Sequence, residues 1–194
     1  MMNRKITPVL FLYSLGFLTY TALSWGGGAQ TITLKGKPLT LIGEKSQVGK
    51  TLPNVRLPDL RLNMVDLRSF NDKVTILSIV PSLDTPTCDK QTHILSEDNK
   101  GLDKTTNLIT ISRDLPFAQK RFAKEAKINN ITFLSDYRDA EFGKSTGLLI
   151  KENRLLARAI FVLDQKGIIR YLEIVSELAK LPDMKKAMEH ARSL

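Results

Sequence analysis

The segment Val74–Cys88 has the sequence VTILSIVPSLDTPTC. Its first half, Val74–Val80, is a run of β-branched and apolar residues, which is typical of a buried strand. The second half contains Pro81 and Pro86, and the residues after Cys88 favour a helix. A strand, a rigid turn and a helix are therefore expected in succession, with Cys88 where the helix begins.

Cys88 is the only cysteine in the chain, so no internal disulfide can form. An isolated cysteine is usually an inert core residue. Here, however, Pro81, Thr85 and Pro86 form a rigid turn that delivers the thiol to a helix N-terminus, where unpaired N–H groups stabilise a thiolate. Thr85 can also place a hydroxyl near the sulfur. This arrangement predicts a nucleophilic cysteine.

The elements on either side of this segment predict an α/β fold with a mixed sheet. Residues Thr31–Ile42 alternate on both sides of Lys35–Lys37, which indicates an N-terminal β-hairpin, and Gly43–Pro58 is expected to be a loop. After Cys88 we predict a helix over Lys90–Glu97, a strand over Asn107–Ser112, a helix over Pro116–Lys127, a strand over Ile131–Leu134, a short helix over Ala140–Ser145, paired strands over Ala157–Leu163 and Ile168–Val175, and a final helix over Pro182–Arg192.

The N-terminus has the composition of a signal peptide or membrane anchor. Arg4 and Lys5 precede Ile6–Trp25, a stretch without charged residues, and the small residues Gly27 and Ala29 follow it. Cleavage and retention of this segment both remain open. In either case the positive charges favour the cytoplasmic side, so the rest of the chain is expected to be exported to the periplasm or the extracytoplasmic face of the membrane. We therefore divide the chain into a targeting segment, residues 1–29, and one globular domain, residues 30–194.

Several other classes of function are disfavoured. The formal net charge is +9, but the basic residues are scattered among acidic ones, which argues against nucleic-acid binding. Gly43–Thr51 resembles a phosphate-binding loop, yet five residues separate its glycines and Leu52-Pro53 follows instead of a helix. The two histidines, His93 and His190, are far apart and no thiolate pair exists to complete a site, so we expect no metal site. We expect no cofactor either.

Arg158 is the unusual residue of the apolar run Ala157–Val162. A buried strand rarely accepts an arginine without an anionic partner. A thiolate would be such a partner, and we therefore predict that Arg158 lies near Cys88. His93 follows Cys88 by five residues, which on a helix directs it to another face, so we expect a surface or packing histidine rather than a base.

The pattern Pro81-x-x-x-Thr85-x-x-Cys88 resembles the active-site signature of peroxiredoxins, and the wider phrase Pro81–Cys88 is similar to that of their thiol peroxidase subfamily. The similarity extends from about Gln30 to the C-terminus. Three further blocks resemble the subfamily in order and spacing, namely Ser112–Phe122, Arg138–Phe142 and Leu156–Ala159.

The resemblance implies a thioredoxin-like fold, commonly dimeric, that reduces hydrogen peroxide and organic hydroperoxides. It further implies that Cys88 is the peroxidatic cysteine, that Thr85 and Arg158 hold and polarise the peroxide, and that Pro81 shields the sulfur. The product would be the sulfenic acid of Cys88, which must then be reduced.

The sequence departs from this subfamily at Ala123, where typical members carry a resolving cysteine. We therefore expect a one-cysteine cycle in which an external thiol or a thioredoxin-like protein reduces the sulfenic acid. An alternative is an exported peroxide sensor or redox relay, whose Cys88 forms mixed disulfides with a partner and turns over poorly. A third possibility is a non-catalytic domain kept for binding, against which the complete set of Pro81, Thr85, Cys88 and Arg158 argues.

Overall fold

The computed structural model describes residues 30–194. The predicted signal or anchor segment, residues 1–29, lies outside the described residues, and the domain boundary after residue 29 stays a prediction. Within residues 30–194, none of the helices combines the length and the apolar character that crossing a bilayer requires.

The described part of the chain alternates between strands and helices in the order expected of an α/β fold. The strands are β1 (Thr31–Leu34), β2 (Lys37–Ile42), β3 (Arg56–Pro58), β4 (Met64–Asp66), β5 (Thr75–Ile79), β6 (Asn107–Ser112), β7 (Thr132–Ser135), β8 (Leu149–Ile150), β9 (Ala159–Leu163) and β10 (Ile169–Ile174). The helices are α1 (Pro86–Glu97), α2 (Pro116–Glu125), α3 (Glu141–Thr146) and α4 (Met184–Arg192), with short 3₁₀ turns over Leu67–Phe70 and Leu102–Lys104.

The central sheet has the strand order β10-β9-β5-β6-β7. Strands β5, β6 and β7 are parallel, whereas β9 is antiparallel to both β5 and β10, so the prediction of a mixed sheet is confirmed. Every residue of β5 and of β9 is buried. This burial on both faces explains why β9 is entirely apolar and why the only polar residues of β5 are the small side chains of Thr75 and Ser78.

Each face of the sheet carries its own apolar core because side chains alternate between the two faces of a strand. One core lies beneath α3 and the N-terminal hairpin and includes Ile79 and Phe142. The other lies beneath α1, α2 and α4 and includes Ile76, Leu95 and Cys88. The cysteine side chain therefore belongs to the packed interior on the second face.

The N-terminal hairpin forms as the sequence predicts. Strands β1 and β2 pair in antiparallel register, and β2 also pairs with β8. The turn residues Lys35 and Gly36 both have positive φ, which the tight two-residue hairpin turn requires.

Most of the expected helices and strands shift by only one or two residues at their ends, but two differences are larger. Helix α1 begins at Pro86 rather than Lys90, because the fixed φ of proline suits the first helical position and its missing N–H costs nothing there. The expected loop Gly43–Pro58 ends in a short strand, since β3 pairs with β4 in antiparallel register. Proline is tolerated at the end of such a strand because no further ladder bond is needed from its nitrogen.

We predict that Gly43→Ala destabilises the contact between the hairpin and α3. Gly43 has φ +115°, and an added Cβ would overlap the Lys144 carbonyl group. The substitution should lower the free energy of unfolding by roughly 3 kcal/mol or more, because backbone strain is added to a backbone clash. Gly101→Ala is the matched control, since Gly101 has φ +82° but open space around it, and it should cost about 1–2 kcal/mol. If urea denaturation showed that both variants lose the same free energy of unfolding, the predicted clash at Gly43 would be wrong.

Candidate active site

Cys88 lies in the first turn of α1, and its side chain is completely buried and unbridged. The Cys88 backbone N–H donates to the Thr85 carbonyl oxygen at 3.1 Å. Val80, Leu83 and Ile160 belong to the same apolar cluster. The cysteine thus packs into this apolar cluster and lies at the helix end where peptide dipoles favour negative charge.

Arg158 lies directly before β9 and is only 2% exposed. Its Nη2 donates to Cys88 Sγ at 3.4 Å, its Nη1 to Gln91 Oε1 at 2.8 Å and its Nε to the Leu178 carbonyl oxygen at 2.9 Å. Together these bonds fix both the position and the plane of the guanidinium group. A buried cation requires compensating acceptors, and among these three groups Cys88 Sγ is the one that can carry a negative charge. The structure therefore brings together the two residues that the sequence singled out.

Gln91 is a site residue that the sequence-based reasoning missed. It is fully buried, it accepts from Arg158, and its amide nitrogen donates to Ser78 Oγ at 2.9 Å. The available signal was its spacing, because a residue three positions after Cys88 on a helix lies on nearly the same face. Gln91 thus links the arginine to β5.

The other two predicted site residues flank the cysteine in the turn between β5 and α1. Pro81 is buried just after β5. Thr85 is the exposed N-cap residue of α1 and has extended backbone geometry. Its hydroxyl, which the sequence places near the sulfur, donates to the Ser82 carbonyl oxygen at 2.9 Å.

Asp114 anchors this turn from the end of β6. Its carboxylate accepts from Ser82 Oγ at 2.7 Å, from the Leu83 backbone N–H at 2.8 Å and from Ser112 Oγ at 2.7 Å. Asp114 lies in the block Ser112–Phe122 that resembles the thiol peroxidases, but the sequence alone indicates no role for it. Its carboxylate joins the cysteine-bearing turn to the segment that leads into α2.

His93 and Ala123 lie where the sequence suggested. His93 Nδ1 contacts Glu97 at 2.6 Å and its Nε2 contacts Asp89 at 3.4 Å, so this half-buried ring is engaged by carboxylates of its own helix. Ala123 is buried on α2, in the same apolar cluster as Cys88. Within residues 30–194, no group of three or more His, Cys, Asp or Glu side chains is arranged to hold a metal ion.

Comparison with known proteins identifies the family. The Redoxin family model matches residues 47–188 of this chain. The thiol peroxidase of Bacillus subtilis is 44% identical over 163 residues, which cover 84% of this chain and 97% of that protein. The thiol peroxidase of Staphylococcus saprophyticus is 42% identical over 163 residues, covering 84% and 98%. The chain belongs to the thiol peroxidases of the redoxin family.

Solved structures agree with this family assignment. A peroxiredoxin-like protein from Aquifex aeolicus superposes with a TM-score of 0.79 at 34% identity, covering 85% of this chain and 97% of that one. A thiol peroxidase from Chromobacterium violaceum shares the fold, with a TM-score of 0.73 at 24% identity and coverage of 84% and 95%. The expectation of a thioredoxin-like fold is confirmed.

We predict that Gln91→Leu destabilises the protein, because it leaves a charged donor of Arg158 and the Ser78 hydroxyl without their buried partner. Removing one member of such a pair costs about 1–3 kcal/mol. Urea denaturation followed by circular dichroism measures the loss. The matched control is Gln165→Leu at an exposed turn position, which should change stability by less than about 0.5 kcal/mol. If both variants were equally stable, Gln91 would not support the arginine.

Proposed function

We propose that the protein is a thiol-dependent peroxidase that reduces hydrogen peroxide and organic hydroperoxides at Cys88. The observation that carries this proposal is the 3.4 Å contact between Arg158 Nη2 and Cys88 Sγ inside a buried site. Membership in the thiol peroxidases supports the same reaction, since the relatives carry that name. A cysteine with a fixed cation beside it at a helix N-terminus is suited to attack an electrophilic oxygen.

In the proposed reaction the Cys88 thiolate attacks one peroxide oxygen. A sulfur–oxygen bond forms, the oxygen–oxygen bond breaks, and the second oxygen leaves with a proton as water or an alcohol. Cys88 is thereby oxidised to a sulfenic acid while the peroxide is reduced. Arg158 stabilises the negative charge that develops on the leaving oxygen, and its fixed guanidinium needs no reorganisation at that moment. Thr85 holds the peroxide once its hydroxyl turns from Ser82, and Pro81 shields the sulfur.

The second half of the cycle depends on a thiol from outside the chain. The position of the family's resolving cysteine is Ala123, whose methyl group cannot form a disulfide. An external thiol therefore attacks the sulfenic sulfur, releases water and leaves a mixed disulfide on Cys88. A second thiol, or a thioredoxin-like reductant, then restores the free cysteine.

The same proposal includes an exported, membrane-associated and homodimeric protein. The charge and apolar pattern of residues 1–29 supports export, with either cleavage or retention of the segment. An extracytoplasmic location would separate Cys88 from cytosolic thioredoxin, which agrees with the use of another thiol. The homodimer follows from the family resemblance alone.

A second candidate function is a peroxide sensor or redox relay that passes its oxidation to a partner. The observation that favours it is again Ala123, because without an internal resolving thiol the sulfenic acid persists until a partner arrives. Steady-state peroxide consumption with dithiothreitol separates the two functions. Sustained turnover supports the peroxidase, and a single burst supports the relay.

We predict that one equivalent of hydrogen peroxide oxidises Cys88 of the full-length protein rapidly and stoichiometrically. Mass spectrometry with a sulfenic-acid trap locates the product, and a kinetic trace follows the loss of peroxide. Cys88→Ser should abolish both signals and keep the fold. If wild-type Cys88 reacted only as slowly as a free thiol, the proposed function would be wrong and the fold assignment would stand.

We predict that Arg158→Met slows the oxidation of Cys88 by roughly 10²–10³-fold, because one fixed transition-state donor is lost. Arg170→Met provides the matched control. Arg170 pairs at 2.7 Å with Asp164, which directly follows β9, whereas Arg158 directly precedes that strand. The rate constant for peroxide should be unchanged in that variant. An unchanged rate in Arg158→Met would assign Arg158 a structural role only.

A further inference from the structure

The loop Val175–Lys180 follows β10 and lies between the N-terminal hairpin and Arg158. We call it the arginine-supporting loop. On the hairpin side, the Thr33 N–H donates to the Ser176 carbonyl oxygen at 2.7 Å, and the Leu178 N–H donates to the Thr33 carbonyl oxygen at 2.7 Å. Two backbone hydrogen bonds therefore join β1 to this loop.

Glu177 strengthens the same connection through its side chain. Its carboxylate accepts hydrogen bonds at 2.9 to 3.3 Å from Thr33 Oγ1 and from the backbone N–H groups of Lys35, Gly36 and Ala179. These donors, chiefly the Lys35 N–H, lower the pKa of Glu177 to about 2, so the carboxylate is charged at neutral pH. One side chain thus joins the hairpin turn to its own loop.

The other side of the loop contacts the active site. The Leu178 carbonyl oxygen accepts from Arg158 Nε at 2.9 Å. The next residue, Ala179, accepts from Thr87 Oγ1 at 3.4 Å, and Thr87 directly precedes Cys88. Leu178 is therefore bound both by the hairpin and by the arginine, and Glu177 directly precedes it in sequence.

We infer that Glu177 is a positioning residue, whose carboxylate ties the N-terminal hairpin to the arginine-supporting loop and so directs the Arg158 guanidinium towards Cys88. The inference rests on the proposed function, because it concerns the donor used in peroxide reduction. Leu178 supplies one of the three acceptors that hold Arg158. If the loop shifts, the guanidinium plane turns, and small misplacements of a catalytic group reduce rates strongly.

A second carboxylate that binds the hairpin from outside provides a matched control. Both oxygens of Glu152 accept from the Thr40 N–H, at 3.0 and 2.9 Å. Glu152 lies in the turn after β8, and this contact joins that turn to β2. It involves no residue of the arginine-supporting loop. Glu152→Gln and Glu177→Gln therefore weaken the anchoring of the same hairpin at two places, of which one adjoins Arg158.

The experiment compares two reactions of Cys88 in the full-length protein. Peroxide reduction uses Arg158 to stabilise the leaving oxygen, whereas alkylation by iodoacetamide releases iodide and needs no such donor. Because a displaced guanidinium also changes the thiolate fraction, both rate constants are taken from the alkaline plateau of each variant's pH profile, where Cys88 is fully ionised. Glu177→Gln should lower the rate constant for hydrogen peroxide about tenfold and leave the alkylation rate within about twofold. Glu152→Gln should leave both rates unchanged. A general loosening of the site would instead change alkylation as well, and that result would overturn the inference.

A double-mutant cycle tests whether Glu177 acts through Arg158. In an Arg158→Met background, Glu177→Gln should have no further effect on the peroxide rate, because the group that it positions is gone. A tenfold loss in both backgrounds would show that Glu177 acts independently of Arg158 and would overturn the inference.

The design separates this inference from the proposed function. If wild-type Cys88 does not react rapidly with peroxide, the proposed function fails. If wild type reacts rapidly and Glu177→Gln reacts equally fast, the positioning role alone fails. Should Glu177→Gln not fold, Thr33→Val replaces it, since this change removes only the hydroxyl bonds to Glu177 and Ser176. It should slow the peroxide reaction about threefold, and a wild-type rate would overturn the inference.

Discussion

The buried guanidinium of Arg158 is the constraint on which the site depends. A buried cation without partners costs several kcal/mol, so the fold must supply acceptors where the side chain ends. Those acceptors are Cys88 on α1, Gln91 one turn further along that helix, and the Leu178 carbonyl in the loop after β10. The helix, the strand and the loop therefore have to be in place together, because each of them supplies one part of the surroundings of this buried charge.

The sheet explains how residues so distant in sequence meet. Strands β5 and β9 are antiparallel neighbours, and Ile79 at the end of β5 is paired with Ala159 at the start of β9. The chain that leaves β5 enters the turn that carries Cys88, while the chain that enters β9 carries Arg158. Antiparallel pairing thus brings the end of β5 and the start of β9 together, and the first turn of α1 lies beside both.

The sequence predicted the parts of this arrangement that are locally conspicuous. Cys88 after a proline-rich turn and Arg158 in an apolar run stand out without a structure, and the alternation of strands and helices indicated the mixed sheet. Gln91, Asp114 and Glu177 were not found, because a polar residue on a helix or in a loop looks like ordinary surface until tertiary packing buries it or supplies its partners. The pairing of β3 with β4 was not predicted either, because a strand of three residues is too short to show an alternation of polar and apolar side chains.

Ala123 bears on how many molecules of the protein are oxidised at a given time. Under a one-cysteine cycle, each chain holds a single thiol and has no second thiol with which to reduce its own sulfenic acid. The fraction of chains in the sulfenic state is then set by the ratio of peroxide supply to thiol supply in the surrounding compartment. When thiols become scarce, oxidised chains accumulate and are exposed to further, irreversible oxidation. Under such a cycle, an alanine in place of the resolving cysteine therefore couples the working lifetime of each molecule to the redox balance of its environment.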